Sequence, residues 1–431
     1  MGVRRNWVKI WASLSIAILG CAGSVALGQN AAQQPVGAKA QGFTIATYNI
    51  NYGNVDLKAV VETLRKANAD IVALQETNRE SAAYLRKALA NSYPYAAFHE
   101  VGNGAGGLAI LSKTPLERAK YTPSTTGGWF GTQTARVVLG DRELLVVNVH
   151  LTATVPLLAK NVKELVELAL KTEATRKKEI RGIVGQVPKR WPTIVLGDFN
   201  SIPLLSGAPG FMKGNGFEDS IGAVVENADQ KATWHWRLKG EAYRGRLDYI
   251  FATRMGAKAK SGQIIESEAS DHYLVTCEYE WTEMPVTLGE ASAQARCVAY
   301  IVDGTGMTLE RLKAAGEMVR KSLAELKDEQ YVWVVVRGKD GLAPTEPMAA
   351  TEANRTTAAE GLPIEAPTEG EFERGLKKAM ETMKEEAGPK AVMIVSDRIG
   401  KEAKLAKTVE TLRTDKRVQI YVVDGEGKRV P

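Results

Sequence analysis

Short apolar runs alternate with segments of helical spacing along most of this chain, and that alternation restricts the fold more than any other feature. In the first part of the chain the runs are bounded by turn-forming residues and predict strands at Phe43–Tyr48, Ile71–Leu74, Leu108–Leu111, Leu144–Val149, Thr193–Leu196, Leu247–Phe251 and Tyr273–Tyr279. Helical spacing occurs at residues 55–67, 81–89 and about 159–187. Strands interleaved with helices predict an α/β domain, which we place at residues 43–282.

A second alternation follows residues 283–296, a stretch with Pro285, Gly289 and several small residues that predicts a linker. Beyond it, strands are predicted at 298–302, 331–336, 391–395 and 418–423, and helices at 309–326 and 372–386. Residues 340–370 lack periodicity and predict a long loop. We therefore expect a smaller α/β domain with a Rossmann-like open sheet at residues 297–428.

The N-terminus has the layout of a secretory signal. Three basic residues precede an apolar run over residues 10–25, which ends in small residues and is short for a membrane span. Cleavage after Gly28 would remove residues 1–28 as a signal peptide and leave 29–42 as a polar linker. No second apolar stretch predicts a transmembrane segment in the mature chain.

Lipid anchoring is the alternative form of export. Ile18-Leu-Gly-Cys is a passable lipoprotein motif with Cys21 as the lipid-bearing residue, although Leu19 is bulky for it. We therefore rank free export, secreted or periplasmic, above a lipid anchor on Cys21. The remaining cysteines, Cys277 and Cys297, have no Cys-x-x-Cys spacing and predict neither a zinc site nor a disulfide framework.

Polar side chains recur where the predicted strands of the first domain begin or end. Buried carboxylates, amides and imidazoles cost free energy unless something pairs with them. Each of these residues alone has an ordinary explanation as a turn residue, a cap or a hydrogen-bonded core group. Together they predict a functional site, whose candidates are Asn49, Glu76, His150, Asp198, Asn200, Asp248, Asp271 and His272.

Several short motifs contain these residues. Their order is Thr47-Tyr-Asn-Ile, Leu74-Gln-Glu, Gly107-Leu-Ala-Ile-Leu-Ser, Asn148-Val-His-Leu, Gly197-Asp-Phe-Asn-Ser, Arg246-Leu-Asp-Tyr-Ile and Ser270-Asp-His. Any one motif is weak, but the ordered series resembles the endonuclease/exonuclease/phosphatase superfamily over nearly all of residues 43–282. The resemblance implies a four-layer α/β/β/α sandwich and divalent-metal-dependent hydrolysis of a phosphate-ester substrate.

The resemblance also implies roles for the metal and water ligands. Glu76 is the expected principal ligand of Mg²⁺ or Mn²⁺, with Asn49 beside it and Asp271 at a second metal position. Hard oxygen ligands suit these ions. Asp198 is expected to orient and deprotonate the attacking water, assisted by Asn200.

The other candidates are expected to act on the phosphate. Asp248 would hold His272 in one tautomer and favour its charged form against the phosphate. His150 would bind a non-bridging phosphate oxygen. Arg136 matches a phosphate-binding arginine only loosely.

Substrate choice depends on loops, and three aromatic segments are candidates: Phe98-His99, Trp129-Phe130 and Trp234-His235-Trp236. Such rings stack on bases, touch a lipid interface or pack beneath the loops. The net charge is +6, and removal of the three basic residues of the predicted signal leaves +3, a balance that tolerates a polyanion such as DNA without requiring one. We place a nuclease first, a phospholipid or inositol-phosphate hydrolase second, and a catalytically silent phosphate-binding protein third.

The second domain resembles a divergent von Willebrand factor A-type domain. Asp303 and Thr305 fit the metal-binding Asp-x-Ser-x-Ser loop of such domains and Asp397 ends a later strand, but Met307 replaces the second hydroxyl. A thioether is a poor ligand for Mg²⁺. We therefore expect the fold without a competent adhesion site, and a docking or positioning role for the domain. The alternative is an adhesion module that carries the enzyme.

Overall fold

The computed structural model describes residues 42–431, except 55, 103, 155–161, 204–206, 239–240, 255, 339–340, 344–346, 361, 363–370 and 416. The predicted signal peptide and the Cys21 lipid site lie outside the described residues, as does all but the last residue of the 29–42 linker. Within the described ranges, no helix combines the length and apolarity that crossing a membrane requires.

The first part of the chain forms two six-stranded sheets, a hairpin and flanking helices. The strands are β1 Gly42–Asn49, β2 Ile71–Thr77, β3 Tyr95–His99, β4 Gly107–Ser112, β5 Leu116–Thr122, β6 Thr132–Leu139, β7 Arg142–His150, β8 Thr193–Asp198, β9 Glu218–Asp219, β10 Trp234–Leu238, β11 Glu241–Gly245, β12 Asp248–Ala252, β13 Ala257–Ile265 and β14 Leu274–Trp281. The helices are α1 Leu57–Ala67, α2 Arg79–Leu89, α3 Val162–Val184, α4 Ala208–Gly214 and α5 Ser220–Val224.

The two sheets pack face to face with helices on both outer faces. Their strand orders are β13-β14-β1-β2-β4-β3 and β5-β6-β7-β8-β12-β9. One apolar core, with Ile45 and Ile194, fills the space between the sheets. A second core, with Leu64 and Leu85, lies between the first sheet and α1 and α2, and a third, with Ile180, lies between the second sheet and α3. Three cores separate four layers, so the predicted α/β/β/α sandwich is confirmed.

Local sequence explains why the helices begin where they do. The side chain of Asp56 accepts a hydrogen bond from the backbone N–H of Ala59 and caps α1. Asn78 and Ser81 cap α2 reciprocally, as a capping box. The apolar stripe of each helix then faces the first sheet, which fixes both helices over the same core.

A buried amide pair joins the two sheets. The Gln75 side chain at the end of β2 donates from Nε2 to Asn148 Oδ1 at 2.7 Å. Asn148, on β7 of the facing sheet, donates from Nδ2 to the carbonyl oxygens of Leu74 at 2.9 Å and Ala109 at 3.0 Å. Both amides are fully buried, and these bonds supply directional contacts within an otherwise apolar interface.

The second part of the chain forms a further sheet of order β19-β18-β17-β21-β22-β23, with β20 beside β18. Its strands, with a preceding hairpin, are β15 Pro285–Leu288, β16 Ala291–Gln294, β17 Cys297–Asp303, β18 Tyr331–Gly338, β19 Gly341–Ala343, β20 Met348–Ala349, β21 Lys390–Ser396, β22 Gln419–Val423 and β23 Arg429–Val430. The helices are α6 Leu309–Glu325, α7 Glu352–Glu360, α8 Glu371–Glu385 and α9 Ala403–Arg413. Separate cores lie on the two faces of the sheet, which makes this domain three-layered.

Two predicted irregular segments contain regular structure. The predicted linker over 283–296 contains the β15–β16 hairpin, which turns at Gly289 with a φ of 56° and packs Val286 and Leu288 into the core of the second domain. The predicted loop over 340–370 contains α7, of which Ala358 is the buried residue. Both segments are poor in large apolar residues, so their periodicity was weak.

A loop of the first domain lies against the second domain. Arg190 Nε donates to Glu386 Oε1 at 2.9 Å, and Arg296 Nη2 donates to the Arg190 carbonyl oxygen at 2.5 Å. Arg296 and Glu386 are both almost fully buried. The guanidinium of Arg136 lies 5.3 Å from the ring centroid of Trp191 in the same loop, which leads directly into β8.

An internal ion pair occupies the crevice at the carboxyl ends of β17 and β21. Their following helices, α6 and α9, pack on opposite faces of the sheet, and such switch points are where open α/β sheets commonly bind ligands. Here Arg398 donates from Nε and Nη2 to the two carboxylate oxygens of Asp303 at 3.0 and 3.1 Å. Ser396 Oγ adds a bond of 2.7 Å to the same carboxylate, which is fully buried.

Replacing Arg398 with alanine should destabilise the second domain. Removing one partner of a buried pair costs about 3–5 kcal/mol, because the remaining charge stays buried. Arg417→Ala removes an exposed guanidinium that pairs with Asp415 and should cost about 0–1 kcal/mol. Urea denaturation of both variants measures the difference, and equal losses would contradict a buried carboxylate that needs Arg398.

Candidate active site

The carboxyl ends of two pairs of parallel strands meet at one edge of the packed sheets. β1 and β2 are parallel neighbours in the first sheet, and β7 and β8 are parallel neighbours in the second. Asn49 and Glu76 therefore lie side by side, as do His150 and Asp198, because parallel neighbours end at the same edge. β12 runs antiparallel to β8 and places Asp248 directly opposite Asp198.

Glu76 leaves the regular ladder of its strand. The pairing of β2 with β4 shifts register between Gln75 and Thr77, and Glu76 has a φ of 59°. A non-glycine residue in this region costs about 1–3 kcal/mol and persists where the surrounding structure holds it. The Glu76 carboxylate meets Asn49 on the neighbouring strand and lies 3.8 Å from His150 Nε2 on the second sheet.

The Gly-Asp-Phe-Asn motif forms a tight turn after β8. Gly197 has a φ of 143°, and a Cβ there would lie 1.9 Å from the Val149 carbonyl oxygen on the neighbouring strand. Asn200, with a φ of 51°, donates its backbone N–H to Asp198 Oδ1 at 2.8 Å and its side-chain Nδ2 to the Leu151 carbonyl oxygen at 3.0 Å. The motif therefore holds Oδ1 of Asp198, while Oδ2 faces the other residues of the site.

Asn49 joins two carboxylates from different sheets. Its Nδ2 donates to Glu76 Oε1 at 3.0 Å and to Asp198 Oδ2 at 3.1 Å. The backbone N–H of Tyr52 donates to the other Glu76 oxygen at 3.0 Å. Burial raises the pKa of Glu76, and the Asn49 hydrogen bond acts in the opposite direction. Two partly desolvated carboxylates thus share one amide.

His272 carries a positive charge between two buried carboxylates. Its Nδ1 lies 2.9 Å from Asp248 Oδ2, and its Nε2 lies 3.6 Å from Asp198 Oδ2. Burial acts to lower the pKa of His272, but the charges of Asp248 and Asp198 outweigh it and raise the pKa to about 10. Burial raises the pKa of Asp198, and the His272 charge opposes that rise. We conclude that His272 is an imidazolium at neutral pH.

His150 is neutral and faces the same carboxylates. Its Nδ1 lies 3.2 Å from the Ala105 carbonyl oxygen, which only accepts, so Nδ1 carries the proton. Burial, together with the His272 charge, lowers the pKa of His150 to about 3. Nε2 therefore carries a lone pair. This nitrogen lies 3.8 Å from Glu76 Oε1 and 3.6 Å from Asp198 Oδ2. The Phe130 ring stacks on this imidazole with 4.1 Å between centroids.

This donor set fits a divalent cation. Two carboxylate oxygens and an imidazole lone pair face one another around Glu76 and Asp198, an arrangement that a cation would neutralise, and oxygen-rich sites suit Mg²⁺ or Mn²⁺. Asp198, Asp248 and His272 also have ligand atoms within 4.8 Å of one another. A protonated His272 has no lone pair to offer, however, so the Glu76 side of Asp198 is the better position.

Asp271 is close enough to Glu76 for its charge to raise the pKa of that carboxyl, and it is linked to Asn49 through Asn51. Its Oδ1 accepts from Asn51 Nδ2 at 2.9 Å, and Asn51 in turn donates its backbone N–H to Asn49 Oδ1 at 3.0 Å. Ser270 Oγ donates to the Asn49 carbonyl oxygen at 2.8 Å. The predicted metal ligands Glu76, Asn49 and Asp271 are thus brought together.

The structure does not bring Arg136 together with the other candidates. Arg136 pairs in register with Leu145, which precedes His150 by five residues, about 16 Å along an extended strand. Its guanidinium forms ion pairs with Glu117 and Glu143. Arg136 therefore lies towards the other end of the sheet, near the contact with the second domain.

Sequence reasoning gave no role to Asn51, Tyr52 or Ser270, although Ser270 begins one of the motifs. These residues contact the site from the turn after β1 and the segment before β14. Asn51 follows Asn49 by two residues in a turn with a φ of 57°, and an Asn-x-Asn pair before a glycine was the available signal. Phe130 was noted only as a loop aromatic, and its contact with His150 depends on two segments that are distant in the chain.

Carboxylates and histidines gathered at the strand ends of a four-layer α/β/β/α sandwich are typical of metal-dependent phosphoesterases. The model of the endonuclease/exonuclease/phosphatase family matches residues 46–272 of the 431-residue chain. This chain belongs to that family. No curated protein sequence matches it.

Several solved structures are similar to this chain. A zebrafish (D. rerio) TDP2 structure with a single-stranded DNA product is 19% identical, covers 56% of this chain and 100% of its own, and has a TM-score of 0.44. A Beutenbergia cavernae endonuclease/exonuclease/phosphatase is 18% identical over 59% of this chain and 78% of its own, with a TM-score of 0.43. The catalytic domain of human Nocturnin with bound sulfate is 17% identical over 56% of this chain and 95% of its own, with a TM-score of 0.42.

The charge on His272 makes a pH-dependent contribution to stability. Because its pKa is raised from 6.5 to about 10, this contribution is fully present below pH 6.5 and is lost as the pH rises through 10. Asp248→Asn removes the main source of the shift, so the deficit in unfolding free energy of the variant should be largest near neutral pH and narrow towards pH 10. Urea denaturation in EDTA between pH 7 and 10 measures it, and a deficit independent of pH would mean that His272 is not charged.

Proposed function

We propose that this protein is an exported, divalent-metal-dependent phosphodiesterase, and that nucleic acid is its first-ranked substrate. Family membership supports a phosphoesterase. The observation that supports this chemistry is the arrangement of the buried side chains. Glu76, Asp198 and neutral His150 lie together, with the imidazolium of His272 beside them. That arrangement offers negative charge and lone pairs to a cation, and a fixed positive charge to a phosphate.

The side chains have distinct parts in this mechanism. Asp198, held by the backbone of Asn200, accepts the proton of the attacking water, and its raised pKa makes it a stronger base than an ordinary carboxylate. His272, held by Asp248, places its Nε2–H against the phosphate and stabilises the charge that develops there. His150, in the role expected for it at a non-bridging phosphate oxygen, would have to take up a proton on Nε2, and in that state it would no longer offer its lone pair to the cation.

The metal would be held by Glu76, with Asn49 beside it and Asp271 near a second position. When bound, Mg²⁺ or Mn²⁺ supplies Lewis-acid stabilisation of the phosphoryl oxygens. Asn49 would then keep the Glu76 and Asp198 carboxylates at the spacing that the cation requires. The alternatives are a phospholipid or inositol-phosphate hydrolase with the same chemistry, and a phosphate-binding protein without turnover.

We also propose roles for the remaining parts of the chain. The N-terminal residues 1–28 would direct export, with lipidation of Cys21 as the second-ranked form. The second domain, in the interpretation as a divergent von Willebrand factor A-like module, would dock or position the enzyme without a metal of its own. The Arg398–Asp303 pair supports that interpretation, because a guanidinium already neutralises the carboxylate that a metal would need.

Hydrolysis of bis-p-nitrophenyl phosphate tests the chemistry directly. The wild-type protein should be active with Mg²⁺ or Mn²⁺ and inactive in EDTA. Loss of a proton acceptor or an electrostatic group costs about 10²–10⁴-fold, so Asp198→Ala and His272→Ala should each lose that much of kcat/KM. Arg136→Ala, which removes a charge far from the site, should remain within about threefold of wild type.

Two outcomes would overturn the proposal. Activity that persists in both Asp198→Ala and His272→Ala would place the reaction elsewhere. No metal-dependent turnover of the small ester, plasmid DNA, sphingomyelin or inositol phosphates would favour the phosphate-binding protein. Turnover of the lipid alone would reverse the order of the two substrate hypotheses.

A further inference from the structure

A hairpin with an aromatic face stands directly beside His272. β10 and β11 pair only with each other in their sheet, and the register sets Trp236 opposite Tyr243 and Trp234 opposite Gly245. Side chains directly opposite one another lie on the same face of a hairpin. Trp234, Trp236 and Tyr243 therefore form a row, here called the aromatic row.

The root of the hairpin is bonded to the segment that carries His272. Trp234 forms an isolated bridge with His272, and the backbone N–H of His235 donates to the Asp271 carbonyl oxygen at 2.9 Å. Thr233, which is fully buried, accepts the backbone N–H groups of Leu247 and Asp248 at 2.9 and 3.0 Å. Trp234, the first residue of the row, is thus held by the same network of backbone hydrogen bonds as Asp248 and His272.

The rings are partly packed and partly open. Trp234 and Trp236 are half-buried, and Tyr243 is 44% exposed. Gly245 opposite Trp234 presents no side chain that could cover the indole. The ring centroids are 6.3 Å apart between Trp234 and Trp236 and 6.5 Å apart between Trp236 and Tyr243. The row therefore presents a surface of aromatic rings that leads away from the active site.

We infer that the aromatic row is a stacking platform for unpaired bases of a single-stranded nucleic acid whose phosphate lies at His272. The inference rests on the proposed phosphodiesterase function and names its substrate class. Base–aromatic stacking is tolerant of sequence, because every base has a π-face. Arg244 on β11 is exposed and adds a positive charge to the hairpin, which favours a phosphate backbone.

The spacing of the rings disfavours a duplex. Stacked bases in B-DNA are about 3.4 Å apart along each strand, roughly half the separation of neighbouring rings in the row. Bases in a paired helix are also covered on both faces by their neighbours. A strand whose bases are splayed apart can instead place one base against each ring.

The burial of the rings disfavours a membrane anchor. Rings that insert into a bilayer project their whole apolar surface from the edge of a protein. Trp234 and Trp236 are half-buried, and Trp234 is bonded to the residue beside the reaction centre. A flat base needs only one open ring face, which is what a half-buried indole offers.

Binding to two oligomers of equal length tests the inference. One is oligothymidylate, and the other has the same sugar–phosphate backbone with tetrahydrofuran in place of every base. With the intact protein in EDTA, wild type should bind the base-bearing oligomer more tightly. Trp236→Ala and Tyr243→Ala should each reduce that preference by roughly 5- to 150-fold, the range for one stacked base. Trp236→Phe should keep most of it.

Tyr84→Ala is the matched control, because Tyr84 is 42% exposed on α2, on the opposite side of the first sheet from the second sheet. It should behave as wild type. Thermal melts of all variants establish that the hairpin changes leave the domain folded. Equal affinity of wild type for the two oligomers would overturn the inference, and so would a base preference that survives both alanine substitutions. Vesicles of phosphatidylcholine and phosphatidylserine give the third arm, in which binding that depends on Trp236 without any base preference would assign the row to a lipid surface instead.

The same preparations separate this inference from the proposed function. Metal-dependent hydrolysis of bis-p-nitrophenyl phosphate without base preference would overturn the stacking platform alone. Base preference without hydrolysis of any ester would overturn the phosphodiesterase alone.

Discussion

The buried pair of Gln75 and Asn148 is the interaction on which the geometry of the site depends. Apolar packing between two sheets is non-directional, so it permits small shifts of one sheet over the other. Each amide hydrogen bond contributes only about 1 kcal/mol, but a buried amide left unpaired costs about 1–3 kcal/mol. The bonds therefore select one alignment of the sheets. Because Gln75 precedes Glu76 and Asn148 lies two residues before His150, that alignment also fixes the distances between the carboxylates and imidazoles.

The same alignment places several buried carboxylates close together, and only part of their negative charge is balanced by neighbouring groups. Glu76, Asp198 and Asp248 are brought together where water is largely excluded, and burial raises the pKa of the first two. His272 compensates for Asp248 and part of Asp198, and Asn49 shares its amide protons between Glu76 and Asp198. Among the described side chains, the charge of His272 acts to lower the pKa of Glu76, but burial outweighs it. Local backbone distortion at Glu76 and Asn200 is consistent with a site organised for chemistry at some cost in stability.

The sequence predicted most of the inner strands and the residues at their ends, because buried strands are continuous apolar runs and their polar ends are conspicuous. It did not predict the inner strand β6, whose first residues are mostly polar. It did not predict β5 or β13, since Glu117, Lys120, Lys258 and Lys260 interrupt their periodicity at the exposed edges of the sheets. The contacts of Asn51 and Phe130 were also missed, because they depend on how separate segments meet. Arg136 illustrates a related limit. The sequence does not show at which end of the sheet a residue of β6 lies relative to the motifs on the other strands.

The loop between α3 and β8 links the two domains in a way that bears on cooperativity. Arg190 and Trp191 contact buried or partly buried residues on both sides, and the chain continues from them into the strand that ends at Asp198. Opening of the second domain would expose Arg296 and Glu386 and would loosen the root of that strand. The two domains should therefore unfold as one cooperative unit. Loss of structure in the second domain would then also displace Asp198, through the strand that ends at it.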